Sequence, residues 1–123
     1  MLTILPLSGR TVLIVEDAYL IALEAQRIVE EAGARRVILA GSVEDSRSAL
    51  AAEPGIDVCI LDLRLGEQDA TPLIREIGER GIPVLVVTGF DSTSPEVDVP
   101  LLKKPYQETE LIEAIRGVIR DRE

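Results

Sequence analysis

Five short runs of β-branched and aliphatic residues recur along the chain, and helix-length segments separate most of them. They are Thr11-Val12-Leu13-Ile14-Val15, Val37-Ile38-Leu39-Ala40, Ile56-Asp57-Val58-Cys59-Ile60-Leu61, Pro83-Val84-Leu85-Val86-Val87 and a weaker Val99-Pro100-Leu101-Leu102. Nearly continuous apolar strands of this kind are buried on both faces, and intervals of this length suit right-handed crossovers through helices. Only two Tyr and one Phe are present and Trp is absent, so the core must be aliphatic.

Between the first two strands, Ile21, Ala25, Ile28, Val29 and Ala32 follow the helical period and Gly33 supplies the stop. Ser42-Val43-Glu44-Asp45 opens a second helix with a capping sequence, and Pro54-Gly55 breaks it after Glu53. A third helix is expected from Thr71 to Arg80, with Pro72 in its first turn and Gly81 closing it. The last helix carries Leu111, Ile112, Ile115, Val118 and Ile119 as a broad apolar stripe. Asp91 to Pro100 breaks the rhythm with two prolines and no apolar period, which predicts a loop or at most one helical turn. The helix between the fourth and fifth strands is therefore expected to be short or missing. The fold class is α/β, a flavodoxin-like, doubly wound five-stranded parallel sheet in the order 2-1-3-4-5 with helices on both faces. With 123 residues, the chain is expected to form one domain over 1–123.

Acids outnumber bases 22 to 13, for a net charge of -9, which argues against a nucleic-acid binder. No apolar stretch approaches membrane-spanning length, and Met1 to Arg10 lacks the pattern of a signal peptide. The single cysteine, Cys59, lies in an apolar run where a free thiol acts as a small hydrophobe. These features predict a soluble, cytoplasmic protein. Histidine is absent, so any phosphohistidine must belong to a partner.

In a parallel α/β sheet, polar side chains at the carboxyl ends of the strands converge on one crevice. Here those ends supply Glu16 and Asp17, then Asp62, Thr88 and Lys104. Three carboxylates in a small space repel one another, and a cation keeps them ionised together. Oxygen ligands without His or Cys point to magnesium. A metal beside an aspartate, with a lysine and a hydroxyl for the remaining oxygens, is what phosphoryl transfer needs, and Asp62 is then the nucleophile. Taken singly, each residue has a plainer reading: Asp17 as a helix cap, Asp62 as a turn former, Thr88 as a strand end, Lys104 as a solvated charge. Their joint occurrence at four strand ends favours the chemical one. Lys103, on the opposite face from Lys104, falls outside the site.

At these residues the chain resembles the CheY-like receiver domains of response regulators, over essentially its whole length. Val12-Leu13-Ile14-Val15-Glu16-Asp17 looks like the acidic-pair strand and Leu61-Asp62-Leu63-Arg64-Leu65 like the phosphoacceptor strand. Val87-Thr88-Gly89 looks like the switch-hydroxyl strand and Lys104-Pro105-Tyr106 like the lysine-proline turn. The resemblance implies that Asp17, Asp62 and the Arg64 backbone carbonyl ligate Mg²⁺, with Glu16 acting through water. It also implies a cis peptide between Lys104 and Pro105. The implied function is that of a single-domain response regulator, not a classical enzyme. It would take a phosphoryl group on Asp62 from a sensor histidine kinase or histidine phosphotransfer protein and signal through protein contacts. Competing readings are a receiver module from a longer regulator, a non-phosphorylated pseudo-receiver, a phosphatase and a flavodoxin. The last two are disfavoured because Arg64 stands where a phosphatase would carry a second acid, and because no phosphate-binding loop follows the first strand.

The chain departs from the family pattern in three places. Leu101 stands where an aromatic switch residue is usual, the stretch from Thr88 to Lys104 is short, and the loop after Asp62 has Gly66 where Pro is common and Ala70 where Gly is frequent. These departures resemble a divergent single-domain subgroup that lacks the strand-five aromatic and pairs with atypical sensor kinases. Without that ring, the expected switch is an ordering of Asp91 to Pro100 when Thr88 meets a phosphoryl oxygen. On the first helix, Leu20 and Leu23 lie opposite the core stripe beside Glu24 and Arg27, and are expected to dock the kinase.

Overall fold

The computed structural model describes residues 4–89 and 99–122. Its elements are β1 (Thr11–Val15), α1 (Tyr19–Glu31), β2 (Arg36–Ala40), α2 (Val43–Ala52), β3 (Val58–Asp62), β4 (Arg64–Leu65), β5 (Gln68–Asp69), α3 (Thr71–Glu79), β6 (Val84–Thr88), β7 (Leu101–Lys103) and α4 (Glu108–Arg122). Five strands form one parallel sheet in the order β2-β1-β3-β6-β7, which is the expected 2-1-3-4-5 with β4 and β5 set aside. The expected loop at Asp91 to Pro100 falls outside the described residues, except for Val99 and Pro100, which are irregular. Four helices are present among the described residues.

Alternation along the strands divides the core. Val12, Ile14, Val58, Ile60, Leu85 and Val87 face α1 and α4, where they meet Ile28, Val29, Leu111 and Ile115. Leu13, Val15, Cys59, Leu61, Val84 and Val86 face α2 and α3, where they meet Leu50, Leu73, Ile74 and Ile77. A strand buried on both faces has no polar position to give, which is why these runs read as continuously apolar. Each fully buried Leu or Ile contributes about 1.5–3 kcal/mol relative to exposure.

α2 is capped as expected, with Ser42 accepting a 3.0 Å hydrogen bond from the Asp45 amide. α1 departs from the expected stripe at its start. Ala22 is buried in place of Ile21, which is 43% exposed and stands with exposed Tyr19, Leu20 and Leu23 on the first turns. The period was right, but an alanine counts weakly in an apolar pattern and the larger Ile21 drew the stripe one residue early. Among charged contacts, Arg27 joins Glu24 and Glu31 to Glu108, tying α1 to α4, and Arg47 pairs with Glu76 across α2 and α3. These pairs are exposed and individually weak.

The small antiparallel hairpin of β4 and β5 was not expected. It pairs Arg64 with Asp69 and Leu65 with Gln68 around a tight Gly66-Glu67 turn. Gly66 has φ +61°, the backbone that a type II′ turn asks for at its first central position. Leu65, 3% exposed, pins the hairpin to the core on the α2 and α3 side.

Gly33 ends α1 with φ +102°, and a Cβ placed there would lie 2.7 Å from Leu5 Cβ. Gly33→Ala is therefore expected to destabilise the fold by at least about 1 kcal/mol in urea denaturation. Gly55→Ala, where the backbone is not left-handed and nothing lies within 4 Å, should stay within about 0.5 kcal/mol of the parent.

Candidate functional site

Every parallel strand delivers its carboxyl end to one edge of the sheet. Counting in twos from the core residues Ile14, Ile60 and Leu102 brings Glu16, Asp62 and Lys104 to the same face. The Lys104 ammonium lies between the two acids, donating to Glu16 Oε1 at 2.8 Å and to Asp62 Oδ2 at 2.9 Å. The main chain sets this reach: the Lys104 amide donates to the Thr88 carbonyl at 2.9 Å, and the Lys104–Pro105 peptide is cis. Lys103 projects the other way and is exposed, as expected.

Burial opposes the charge of Lys104, but its hydrogen bonds to Glu16 and Asp62 together outweigh that cost and hold its pKa above the ordinary lysine value. Glu16, only 7% exposed, moves up, because burial and the neighbouring Asp62 outweigh the help from Lys104 and the Ala18 amide. Tyr106 is half-buried beside this pair, and burial raises its phenol. Burial likewise pushes the Cys59 thiol far up, leaving it an inert core residue.

Asp17 is not a helix cap: α1 starts from Ala18 without a side-chain cap. Its Oδ2 instead accepts from the Gly66 amide at 2.8 Å. Asp62 Oδ1 accepts from the Arg64 amide at 3.0 Å, and Glu16 Oε2 from the Ala18 amide at 3.2 Å. Both oxygens of Glu16 and of Asp62 are thus engaged, and Asp17 Oδ1 alone accepts no hydrogen bond among the described residues. Carboxylate oxygens of Glu16, Asp17 and Asp62 lie within 4.8 Å of one another. This close, oxygen-only donor set with an open oxygen fits a hard divalent cation such as magnesium. Thr88 is 4% exposed at the end of β6, where its hydroxyl donates to the Gly89 carbonyl at 3.3 Å. Glu16, Asp17, Asp62 and Lys104 are thus brought together, and Thr88 is joined to them through its carbonyl, which accepts from the Lys104 amide. What the sequence reading missed is the pair of hairpin amides, on Arg64 and Gly66, that hold Asp62 and Asp17.

The family model for the response regulator receiver domain matches residues 12–116. The chain belongs to that family. Receiver domains are signalling modules rather than classical enzymes; they bind Mg²⁺ at an acidic site and interact in general with histidine kinases or phosphotransfer proteins. A solved response regulator receiver protein of Sinorhizobium medicae is 24% identical with a TM-score of 0.83, covering 94% of this chain and 98% of that one. A CheY-like receiver of Methanospirillum hungatei is 22% identical with a TM-score of 0.81, covering 94% and 97%. The anti-anti-sigma factor PhyR of Bartonella quintana is 21% identical with a TM-score of 0.79, covering 93% of this chain but 50% of that one. These likenesses show the fold. No curated protein matches the chain. No helix among the described residues is long and apolar enough to cross a membrane.

Replacing the ammonium alone tests the electrostatics of this receiver. Lys104→Met leaves Glu16 and Asp62 facing each other and should cost about 1–3 kcal/mol in urea denaturation at neutral pH without divalent cation. Glu16, with its folded pKa raised, contributes stability that is fully present below its ordinary value and lost as pH rises through the folded one. The deficit of Lys104→Met should accordingly shrink as the buffer is made acidic. Lys104 too is raised, so the wild-type protein should lose stability as pH climbs through its alkaline folded pKa, and the variant should lack that limb.

Proposed function

We propose that this chain is a single-domain response regulator that accepts a phosphoryl group on Asp62 from a phosphohistidine donor. The observation that carries this reading is Asp62 itself. It ends the central strand, one oxygen on Lys104 and the other on a backbone amide, with Asp17 and Glu16 beside it. In the transfer, a carboxylate oxygen of Asp62 forms the new bond to phosphorus as the phosphorus–nitrogen bond of the donor breaks, and the electron pair stays on the partner's imidazole. Lys104 and Thr88 would then take phosphoryl oxygens, and the Lys104 charge would offset the negative charge brought in. Asp17, Asp62 and the Arg64 carbonyl are the groups that would hold magnesium, with Glu16 acting through water. When bound, the metal neutralises phosphoryl oxygens during transfer.

The reading further places the protein in the cytoplasm, with output through protein contacts rather than nucleic acid. Its donor would be a sensor histidine kinase or phosphotransfer protein docking on the first turns of α1. There Leu20 is 79% exposed directly beside the acidic strand end, and Tyr19 and Leu23 extend the apolar surface.

Incubation with a small phosphodonor and Mg²⁺ should add one phosphoryl group by intact mass, and Asp62→Asn should abolish the gain; undiminished labelling of that variant would sink the assignment. Leu20→Asp should slow transfer from a cognate kinase by about tenfold while small-donor labelling stays unchanged. Equal kinase rates in the variant and the parent would remove α1 as the docking face.

A further inference from the structure

Asp17 is the one member of the carboxylate trio that Lys104 does not reach. Its side chain is held instead by a main-chain group in the turn of the β4–β5 hairpin. The Gly66 amide donates to Asp17 Oδ2 at 2.8 Å, while Oδ1 accepts no hydrogen bond among the described residues. A carboxylate tied at one oxygen can rotate far less, so its second oxygen is presented in a fixed direction. The donor is also uncharged, so it steers the carboxylate without cancelling the charge that a cation would use.

We infer that the Gly66 backbone amide is a positioning group for cation binding, holding Asp17 so that Oδ1 faces the acidic pocket. The inference rests on the proposed magnesium site and adds a residue to it. Three features of the hairpin fit the role. The tip is braced, because Leu65 beside it is 3% exposed in the core, and Ala70 beyond it is fully buried with its amide on the Leu63 carbonyl at 3.1 Å. The same short segment donates the Arg64 amide to Asp62 Oδ1, so one segment contacts two of the three acids. The residue type is demanded by both backbone and hydrogen bond. Proline has no amide proton to give and cannot adopt φ +61°, so a proline at 66 would remove the contact and the turn together. Space is not the constraint, since a Cβ at residue 66 would lie at an ordinary 3.8 Å from Asp17 Oδ2. Ligand carboxylates are commonly held by such outer hydrogen bonds, whose loss weakens metal binding about 10- to 100-fold.

The test removes the proton and little else. An ester in place of the Leu65–Gly66 amide, installed by incorporating glycolic acid at position 66, deletes the N–H while keeping a glycine-like backbone. Mn²⁺ serves as the probe, its binding read from water-proton relaxation. Binding is expected to weaken about 10- to 100-fold in the ester protein. Equal Mn²⁺ affinity in the ester protein and the parent would overturn the inference while leaving the cation site standing. No Mn²⁺ binding by the parent at millimolar ion would overturn the site and the inference together. Should the ester protein fail to fold, amide hydrogen exchange decides. The Gly66 amide is expected to be protected in the parent and to lose that protection in Asp17→Ala, and an unprotected Gly66 amide in the parent would overturn the inference.

Discussion

Like charges at the end of a parallel sheet are the constraint around which this molecule is arranged. The fold gathers carboxylates at the carboxyl edge because β1 and β3 are neighbours and both end in acids. Left alone, Glu16 and Asp62 would oppose the pairing that brings them together. The Lys104 ammonium between them turns that repulsion into cohesion, and it gets there because β7 pairs with β6 and the residue that follows it, Lys104, turns toward the acids. The buried position of Glu16 is tolerable for the same reason. A buried acid needs a partner charge and hydrogen bonds on its lone pairs, and Lys104 and the Ala18 amide supply both.

Much of this was readable from residue order. The buried strands followed from the β-branched runs, because strands covered on both faces show as continuous apolar stretches, whereas β7, with Leu101 and Lys103 exposed, gave only a weak run that began two residues early. The convergence of Glu16, Asp17, Asp62, Thr88 and Lys104 followed from a topological rule: parallel strands place their carboxyl ends together whatever else the sequence does. The resemblance of four short motifs to receiver domains supplied the roles that topology alone could not. The failures share a physical cause. Ile21 against Ala22 is a rotation of a helix by one residue, which a pattern count cannot separate when small and large apolar residues alternate. The β4–β5 hairpin is made of two-residue strands, too short for any period, and its one signal was Gly66. That glycine was visible as a departure from the family pattern, yet its significance lies in a backbone proton rather than a side chain, and backbone protons carry no letter in the sequence.

The loop that follows Asp62 therefore works differently from a passive connection. It returns its own amides to the acid that precedes it and to the acid of a neighbouring strand, so the backbone there takes part in the electrostatics of the pocket. Asp69 then closes the segment by accepting from the amide and hydroxyl of Thr71, which starts α3 without drawing on the acids of the site.

The division of the core by the sheet has a consequence for how the molecule can change. Over most of the sheet a layer of backbone separates the residues packed beneath α1 and α4 from those beneath α2 and α3, although Val118 of α4 lines one cavity with Ile74 of α3 and Val84. Away from that cavity, energetic effects of substitutions on the two sides should add with little coupling, as they do for sites without common neighbours. A lineage could remodel the helices on one flank to suit a new interlocutor while the other flank keeps its packing and the acidic edge keeps its geometry. The sheet acts as a firewall between two separately evolvable surfaces.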